Sequence, residues 1–324
     1  MSSAPDVENL RMMTKVAHLY HSRGMVQTDI AKTLGISQAR VSRLLAAAEE
    51  EKIIRTVVVS PPGLFAEVEQ ELERRFGLLQ AHVIDASGET EEEGTESAGL
   101  AFAPIFQILP IDDKIIGFTS WSRSMREFVE KLEPFTHASA RAIVEMLGGV
   151  GEPALQHQAT TATQKLAELT HAKPLFLRVP GVVSTPEMKD ALLENDSHAK
   201  LAIEALNAVD IALVGIGSSN PSSHLTEGVN FFTDEQFARA RKLGAVGEIN
   251  LRFLDKDGNP IRSELDDVVI GVELDQLRRA ERRVGVSVGE RKHQAVLAAL
   301  RGGWVNVLVT DIDTANYLLD NADS

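Results

Sequence analysis

Apolar residues near the start of the chain recur at the spacing of an amphipathic helix in three short segments. The first covers residues 6–23, where four apolar or aromatic side chains share one face. A second helix is predicted over Gln27–Leu34 and a third from Gln38 to about Lys52. The pattern therefore predicts a small all-α domain at the beginning of the chain.

The pattern changes after the third helix. Residues 53–60 are rich in β-branched side chains, and the Pro-Pro-Gly sequence that follows interrupts regular structure. We place a domain boundary at this point. The sequence is thus divided into an N-terminal domain at residues 1–60 and a larger domain at residues 61–324.

In the larger domain, short apolar runs alternate with segments of helical period. The predicted strands are Ala81–Asp85, Lys114–Phe118, Ala142–Leu147, Leu175–Val179, Ile211–Ile216, Arg283–Val288 and Val305–Thr310. The predicted helices include Leu64–Phe76, which Gly77 ends, and Ser124–Leu132, Gln158–Thr170, Glu187–Asn195, His198–Asn207 and Lys292–Arg301. Strands that alternate with helices predict an α/β domain with a mainly parallel sheet covered on both faces. Ligands of such sheets usually bind at the carboxyl ends of the strands.

Two stretches depart from this alternation. In Leu251–Ile261, the Asp257-Gly258 pair between apolar residues predicts a hairpin turn. Residues Glu89–Glu96 are of low complexity and strongly acidic, which fits either a solvated loop or the start of a helix.

The composition narrows the class of protein. Hydrophobic residues make up 44% and charged residues 25%, as in soluble globular proteins. The chain has no cysteine, which excludes disulfides and thiolate metal sites, and its nine histidines show no paired metal spacing. It also lacks an apolar run of the roughly 18 to 20 residues that a membrane span needs. With no secretory signal pattern at its start, we expect a cytoplasmic protein without metal or cofactor.

The charge is unevenly distributed. The net charge of −14 at first argues against a nucleic-acid partner. Residues 1–60, however, hold eight Lys/Arg and six Asp/Glu, so this segment carries +2 and the remainder −16. An acidic body repels phosphates everywhere except at the basic end, which favours one docking orientation.

Residues 27–45 carry the most specific pattern in the chain, that of a helix-turn-helix. Ala31 is small where two helices pass closely, Gly35 supplies a turn with positive φ, and Ser37 can cap the next helix. The apolar residues that would close the core of the motif are Ile30, Leu34, Ile36, Val41, Leu44 and Leu45. The alternative is an ordinary αα-hairpin with no role in DNA binding.

The polar and short side chains left exposed by this core suit a helix in the major groove of double-stranded operator DNA. The predicted DNA-binding residues are Thr28, Lys32, Ser37, Gln38, Ala39, Arg40, Ser42 and Arg43. Gln38 and Arg40 are predicted to contact base edges, whereas Lys32 and Arg43 could equally contact phosphate. Ala39 either touches a thymine methyl or permits close approach.

The whole sequence resembles the SorC family of sugar-sensing bacterial regulators, from about residue 10 to residue 320. Besides the helix-turn-helix, the matching stretches are Ile115–Ser124, Leu147–Gly151, Ala212–Gly217, Gly244–Ile249, Gly289–Lys292 and Gly303–Asp311. The resemblance implies a Rossmann-like effector domain similar to sugar-phosphate isomerases and deaminases. It also implies a homo-oligomer, a dimer or tetramer, and an effector drawn from sugars, polyols and their phosphates.

A candidate effector site follows from the strand ends together with this resemblance. Residues 119–124 lie between a strand and a helix, so their N–H groups and hydroxyls would face an anion. The full predicted set is Thr119, Ser120, Ser122, Arg123, Ser124, Gly148, Gly149, His157, Gly217, Glu248 and Lys292. Glu248 would accept hydrogen bonds from sugar hydroxyls, and Lys292 matches the family lysine that reaches a phosphate. His157 is either a ligand or a residue of a helix surface.

Some positions depart from the family pattern. Ser122 stands where glycine is common, and Arg123 precedes the matching Ser124. An anion site remains compatible with these residues, because arginine adds a bidentate donor. Leu147 replaces a basic residue of some relatives, which argues against a second phosphate contact or an imine with the sugar.

The competing hypothesis is a sugar-phosphate isomerase or deaminase with an accessory N-terminal domain. Gly285–Gly289 matches a hydrolase nucleophile elbow, but Ser287 falls in a strand-like run and no histidine follows His293. Asp255–Asn259 resembles the start of a calcium loop, with its glycine two positions early. Gly215 and Gly217 lack the third glycine of a dinucleotide fingerprint. We therefore predict no catalytic residues and favour a regulator over an enzyme.

Overall fold

The computed structural model describes residues 7–54, 63–220 and 230–322. The chain divides into two compact units, Met1–Pro61 and Pro62–Ser324. The β-rich stretch expected after the third helix lies almost wholly outside the described residues. No helix in the described part of the chain is long and apolar enough to cross a membrane.

Three helices build the N-terminal unit, which we call the head. They are α1 (Val7–Ala17), α2 (Gln27–Leu34) and α3 (Gln38–Glu50). The first predicted helix differs, because α1 ends at Ala17 and the chain continues as a π-helical turn over His18–Ser22. Met13, Val16, Ile30, Val41 and Leu45 are among the buried residues that hold the three helices together.

The larger unit, which we call the body, contains a seven-stranded parallel sheet. Its strands are β1 (Gln80–Ile84), β2 (Ile115–Phe118), β3 (Ala142–Glu145), β4 (Lys173–Leu175), β5 (Ile211–Gly215), β9 (Arg282–Val286) and β10 (Val307–Asp311). Across the sheet they lie in the order β1-β10-β9-β5-β2-β3-β4. A smaller antiparallel sheet is formed by β6 (Gly217–Ser218), β7 (Gly247–Ile249) and β8 (Arg252–Leu254). The predicted α/β class with a mainly parallel sheet is confirmed.

Helices cover both faces of the large sheet, as expected for strands that are buried throughout. Their bounds are α4 (Ala66–Phe76), α5 (Glu91–Gln107), α6 (Arg123–Lys131), α7 (Pro153–Leu169), α8 (Pro186–Asn195), α9 (Ser197–Ala205), α10 (Asp234–Lys242), α11 (Glu264–Asp267), α12 (Leu274–Leu277), α13 (His293–Arg301) and α14 (Ile312–Asp320). Helices α5, α6 and α7 pack on one face, where Phe102, Phe106 and Phe128 are fully buried. Helices α4, α13 and α14 pack on the other face.

The acidic segment that the sequence left as loop or helix start begins α5. Thr90 caps this helix: its Oγ1 accepts from the N–H of Glu93, and the Glu93 carboxylate accepts from the N–H of Thr90 at 2.9 Å. The helix then continues to Gln107, although Pro104 lies inside it. Helix α7 likewise begins earlier than predicted, because Pro153 occupies its first turn, where the missing N–H costs nothing.

The strand predicted over Leu175–Val179 is displaced. Strand β4 ends at Leu175, and Leu177 instead donates its N–H to the buried Glu145 carboxylate at 2.9 Å. Leu177 and Val179 join a separate apolar cluster with Leu147. A side-chain acceptor from a neighbouring strand thus replaces the expected ladder partner, which periodicity along the chain does not show.

The predicted turn at Asp257-Gly258 is present, with Gly258 at φ +81° and the N–H of Asp255 donating to Asn259. A second turn, between β7 and β8, was not predicted from the sequence. In it Asn250 and Leu251 both have positive φ, at +50° and +63°. Asparagine tolerates this conformation better than leucine does, so the leucine masks the turn in the sequence.

Candidate functional site

The turn of the helix-turn-helix has the geometry that its sequence predicts. Gly35 follows α2 in the left-handed region, at φ +64°, and its N–H donates to the carbonyl oxygens of Ala31 and Lys32. Ser37 then caps α3, its Oγ accepting from the N–H of Arg40 at 3.3 Å. Because both devices fix the chain locally, α2 and α3 begin and end at the predicted residues, within about two positions at the far end of α3.

Helix α3 separates an apolar face from a polar one. Val41, Leu44 and Leu45 are buried against α1 and α2. All eight residues predicted to contact DNA are exposed, namely Thr28, Lys32, Ser37, Gln38, Ala39, Arg40, Ser42 and Arg43. Within the described residues, the cationic side chains of this face form polar contacts only inside their own helices. Lys32 lies 3.8 Å from Asp29, and Arg43 Nε donates to the Ala39 carbonyl at 3.3 Å.

In the body, the connections of the large sheet define a topological switch point. The chain leaves β2 for β3 in one direction along the sheet and leaves β5 for β9 in the other. Strands β2 and β5 are neighbours, with Phe118 beside Leu213, so the connections diverge between them. Open α/β sheets bind ligands outside the carboxyl ends of the strands at such a point. Residues 119–122 and 216–217 continue directly from these two ends.

The loop after β2, residues 119–124, is rich in hydroxyl groups. Ser122 Oγ lies 3.0 Å from Ser124 Oγ, and Ser124 Oγ donates to the Val286 carbonyl at 3.4 Å. Gly215, at the end of β5, gives Ser122 its space, since a Cβ there would lie 2.5 Å from Ser122 Oγ. Ser122 therefore sits between the ends of two central strands.

A partly buried arginine that the sequence did not indicate supports this loop. The guanidinium of Arg126, on the first turns of α6, donates to the carbonyl oxygens of Ser120 at 3.3 Å and Trp121 at 2.8 Å. Burial lowers the pKa of Arg126, and the positive charge of Arg123 adds to this effect. The predicted donor Arg123 points elsewhere, forming an ion pair with Glu92 at 2.8 Å.

Glu248 lies on β7 directly against Gly217. A Cβ on Gly217 would lie 1.7 Å from Glu248 Oε1, so only glycine leaves room for the carboxylate in this position. Its Oε2 accepts from the N–H of Leu251 at 2.6 Å. Burial raises the pKa of Glu248 to about 7, although this hydrogen bond and the charge of Lys292 act in the opposite direction. Burial also lowers the pKa of Lys292, against the attraction of Glu91 and Glu248.

Three buried polar atoms at this edge of the sheet lack a hydrogen-bond partner in the described structure. They are Ser120 Oγ, Asn250 Nδ2 and Ser287 Oγ, on side chains at most 3% exposed. Asn250 is held by its other amide atom, since Oδ1 accepts from Thr119 Oγ1 at 2.9 Å. Unsatisfied buried polar groups are costly, so each of these atoms needs a partner, such as an ordered water or a ligand hydroxyl.

Ser287 and Asn250 were not among the candidate residues predicted from the sequence. In the sequence, Ser287 lies within a nucleophile-elbow pattern, which is associated with catalysis rather than with ligand binding. In the structure β9 ends at Val286, so Ser287 follows the strand rather than lying inside it. Its position at a strand end was the signal that could have identified it.

The remaining predicted residues lie at the margin. Gly148 and Gly149 donate their N–H groups to Ile270 at 2.9 Å and Val179 at 2.7 Å. A Cβ on Gly148 would lie 2.5 Å from the Val179 carbonyl oxygen, so close chain packing already explains this glycine. His157 is exposed on α7, and no contact in the described structure connects it to the loop after β2.

A helix-turn-helix head together with an α/β body whose polar residues converge at the switch point defines a DNA-binding transcription regulator with a ligand-binding domain. Residues 61–320 match the Sugar-bind family model, which describes a sugar-binding domain. The sorbitol operon regulator of Klebsiella pneumoniae is 30% identical over 96% of this chain and 98% of its own. The deoxyribonucleoside regulator of Bacillus subtilis is 30% identical over 98% of this chain and 99% of its own.

The solved structures agree with this assignment. The crystal structure of the full-length sorbitol operon regulator SorC from Klebsiella pneumoniae superimposes with a TM-score of 0.72 at 29% identity, covering 98% of this chain and 100% of that one. This chain belongs to the SorC family of sugar-binding transcriptional regulators.

Proposed function

We propose that this protein binds operator DNA through its head and that a sugar, polyol or sugar phosphate, bound at the carboxyl edge of the large sheet, controls that binding. The observation that carries the first half is the exposure of the whole polar face of α2 and α3 on a turn fixed by Gly35 and Ser37. The names of the relatives, regulators of sorbitol and deoxyribonucleoside operons, support the second half.

We assign the reading of bases to Gln38 and Arg40, near the N-terminus of α3, and phosphate contacts to Lys32 and Arg43. The remaining members of the DNA face are Thr28, Ser37, Ala39 and Ser42. A recognition helix reads the major groove with the residues near its N-terminus, and that end of α3 is exposed. A homo-oligomer, dimer or tetramer, would present paired heads to a pseudo-palindromic operator.

The effector site comprises the polar groups around the switch point between β2 and β5. Thr119, Ser120, Ser122 and Ser124 would contact the ligand from one side. Gly217, Glu248 and Lys292 would contact it from the other. Gly148, Gly149, Arg123 and His157 remain candidates at its margin. We assign no reaction to this site and place the protein in the cytoplasm, with residues 1–60 as the DNA-binding domain and 61–324 as the effector domain.

Selection of bound sequences from a random DNA pool with the full chain, followed by fluorescence anisotropy, tests the DNA-binding role. Arg40→Ala should weaken binding to the selected sequence by about 1 to 3 kcal/mol and relax the preference at one base position. Lys15→Ala, which removes the same charge from an exposed position on α1, should leave the sequence preference unchanged. Unchanged DNA affinity in Arg40→Ala would refute the placement of α3 in the groove.

A thermal-shift screen of sugars, polyols and their phosphates tests the effector role. A ligand well above its Kd should stabilise the body by a few kcal/mol. If no member of the screen raised the melting temperature, the sugar-responsive half of the proposal would be wrong.

A further inference from the structure

The acidic first turn of α5 contacts the basic edge of the candidate effector site. Glu92 Oε1 lies 2.8 Å from Arg123 Nη1, at the start of α6. Glu91 Oε2 lies 3.5 Å from Arg291 Nη1, beside Lys292. The negative charge of Glu91 also raises the pKa of Lys292, against the lowering that burial causes. The two glutamates thus pair with Arg123 and Arg291, and the charge of Glu91 also acts on Lys292.

This contact is built into the packing of the body. A Cβ on Gly289 would lie 3.8 Å from Glu91 Cγ, and one on Gly94 would lie 3.7 Å from Val288 Cγ2. The start of α5 therefore rests directly on the segment that leads to Lys292. The third glutamate of the turn, Glu93, serves the helix itself, since its carboxylate accepts from the N–H and Oγ1 of Thr90.

Two backbone donors near these cations are also engaged. The N–H of Gly289 donates to the Asp311 carboxylate at 2.8 Å, and the N–H of Ser122 donates to the Thr119 carbonyl at 3.2 Å. Glu248 is a further acidic group whose charge acts on Lys292. A phosphate dianion that approaches Arg123 or Arg291 would meet a paired carboxylate at each, and direct contact with either arginine would require its ion pair to separate.

An uncharged polyol meets a different surface at the same edge. Its hydroxyls can both donate and accept, as the unpartnered Ser120 Oγ, Asn250 Nδ2 and Ser287 Oγ require. They can also donate to the Glu248 carboxylate without any unfavourable charge. The local chemistry therefore favours hydroxyl recognition over phosphate recognition.

We propose that Glu91 and Glu92 are specificity-determining residues of the effector site, which select an uncharged sugar or polyol against its phosphorylated form. This inference rests on the proposed function, because it assumes that the edge of the sheet binds a carbohydrate. The ion pairs are solvent-exposed, Arg123 at 43% and Glu92 at 78% of the side chain. Pairs of this kind contribute little to folding, so their removal leaves the body folded and changes the charge that a ligand meets.

The test compares ligand preference in the full chain with that in a Glu91→Gln/Glu92→Gln double variant. Glu96→Gln is the matched control, because Glu96 lies on the same helix and pairs with Lys131, at 3.4 Å, instead of with the site. Isothermal titration at constant ionic strength measures the Kd of sorbitol and sorbitol 6-phosphate, and of fructose and fructose 6-phosphate.

The wild-type chain should bind the uncharged member of a pair more tightly. The double variant should shift the ratio of affinities toward the phosphorylated member by about two- to fivefold for each carboxylate removed, because these charges are exposed, and Glu96→Gln should leave the ratio unchanged. A ratio that is the same in the wild type and the double variant would overturn this inference while leaving the proposed function intact. If neither these pairs nor any member of the thermal-shift panel binds to any variant, the proposed function itself fails.

Discussion

Replacing Glu248 by glutamine tests the candidate effector site through its protonation. The substitution keeps the shape of the side chain and an oxygen that can accept from the N–H of Leu251, but it removes the ionisable group. In the folded protein, burial raises the pKa of Glu248 from 4.5 to about 7. Each pKa unit corresponds to about 1.4 kcal/mol, so the ionised carboxylate costs the folded state up to about 3 kcal/mol.

The sign of the effect follows from the direction of this shift. The folded chain binds the proton of Glu248 more tightly than the unfolded chain does, so this group favours folding at low pH. Its contribution should be complete below about pH 4.5 and should be lost as the pH rises to about 7. Glu248→Gln lacks this loss and should therefore be more stable than the wild type above pH 7. Loss of the attraction to Lys292 will reduce the gain.

Urea denaturation between pH 5 and pH 8 measures the difference in unfolding free energy between the two proteins. The difference should grow in favour of Glu248→Gln with rising pH, whereas Glu67→Gln, at an exposed position of α4, should show little change. Effector affinity should also rise with pH in the wild type, since an ionised carboxylate accepts hydroxyl donors better. A stability difference that stays constant across this range would refute the argument that the folded protein raises the pKa of Glu248.

Four further substitutions test the geometry of the two units. Gly148→Ala should destabilise the body by about 1 to 3 kcal/mol, because the new Cβ would lie 2.5 Å from a backbone carbonyl oxygen. Gly149→Ala should cost less, because the nearest atom to its new Cβ, at 3.2 Å, is the end of a side chain. Calorimetry measures the loss of unfolding free energy in both variants. Equal losses would contradict the close packing assigned to Gly148. Ser37→Ala should cost the head about 1 kcal/mol through loss of the cap on α3, and an unchanged melting transition of the head would count against that cap. Gly35→Ala should destabilise the head by about 1 to 2 kcal/mol through its φ of +64° alone, since a Cβ there meets no atom within 4 Å. An unchanged melting transition of the head would contradict this prediction.

The elements that the sequence predicted best are those whose ends are determined by residues close by in the chain. Helix α2 was placed at its observed bounds, and α3 began where predicted, because Gly35 and Ser37 act within one turn of the chain. The displaced β4 shows the opposite case. Leu177 leaves the strand for the carboxylate of Glu145, a residue 32 positions earlier, and no local pattern carries that contact.

The candidate site divides in the same way. The hydroxyl-rich loop after β2 could be predicted, because a strand followed by a helix places its residues at the carboxyl edge of the sheet. The pairing of Arg123 with Glu92 could not, since it joins the starts of two different helices. The same holds for Asn250, which reaches the loop from the β7–β8 turn through Thr119. Contacts between distant segments thus determine which of the predicted donors stay available to a ligand.

The central claim is that carbohydrate binding in the body changes DNA binding by the head. The most direct measurement is the Kd of the full chain for its selected DNA sequence, by fluorescence anisotropy at fixed salt, with and without a saturating sugar or polyol from the thermal-shift screen. A coupling of about 1 to 3 kcal/mol predicts a change in Kd of about 5- to 150-fold. A Kd that is the same with and without the bound ligand would contradict the claim.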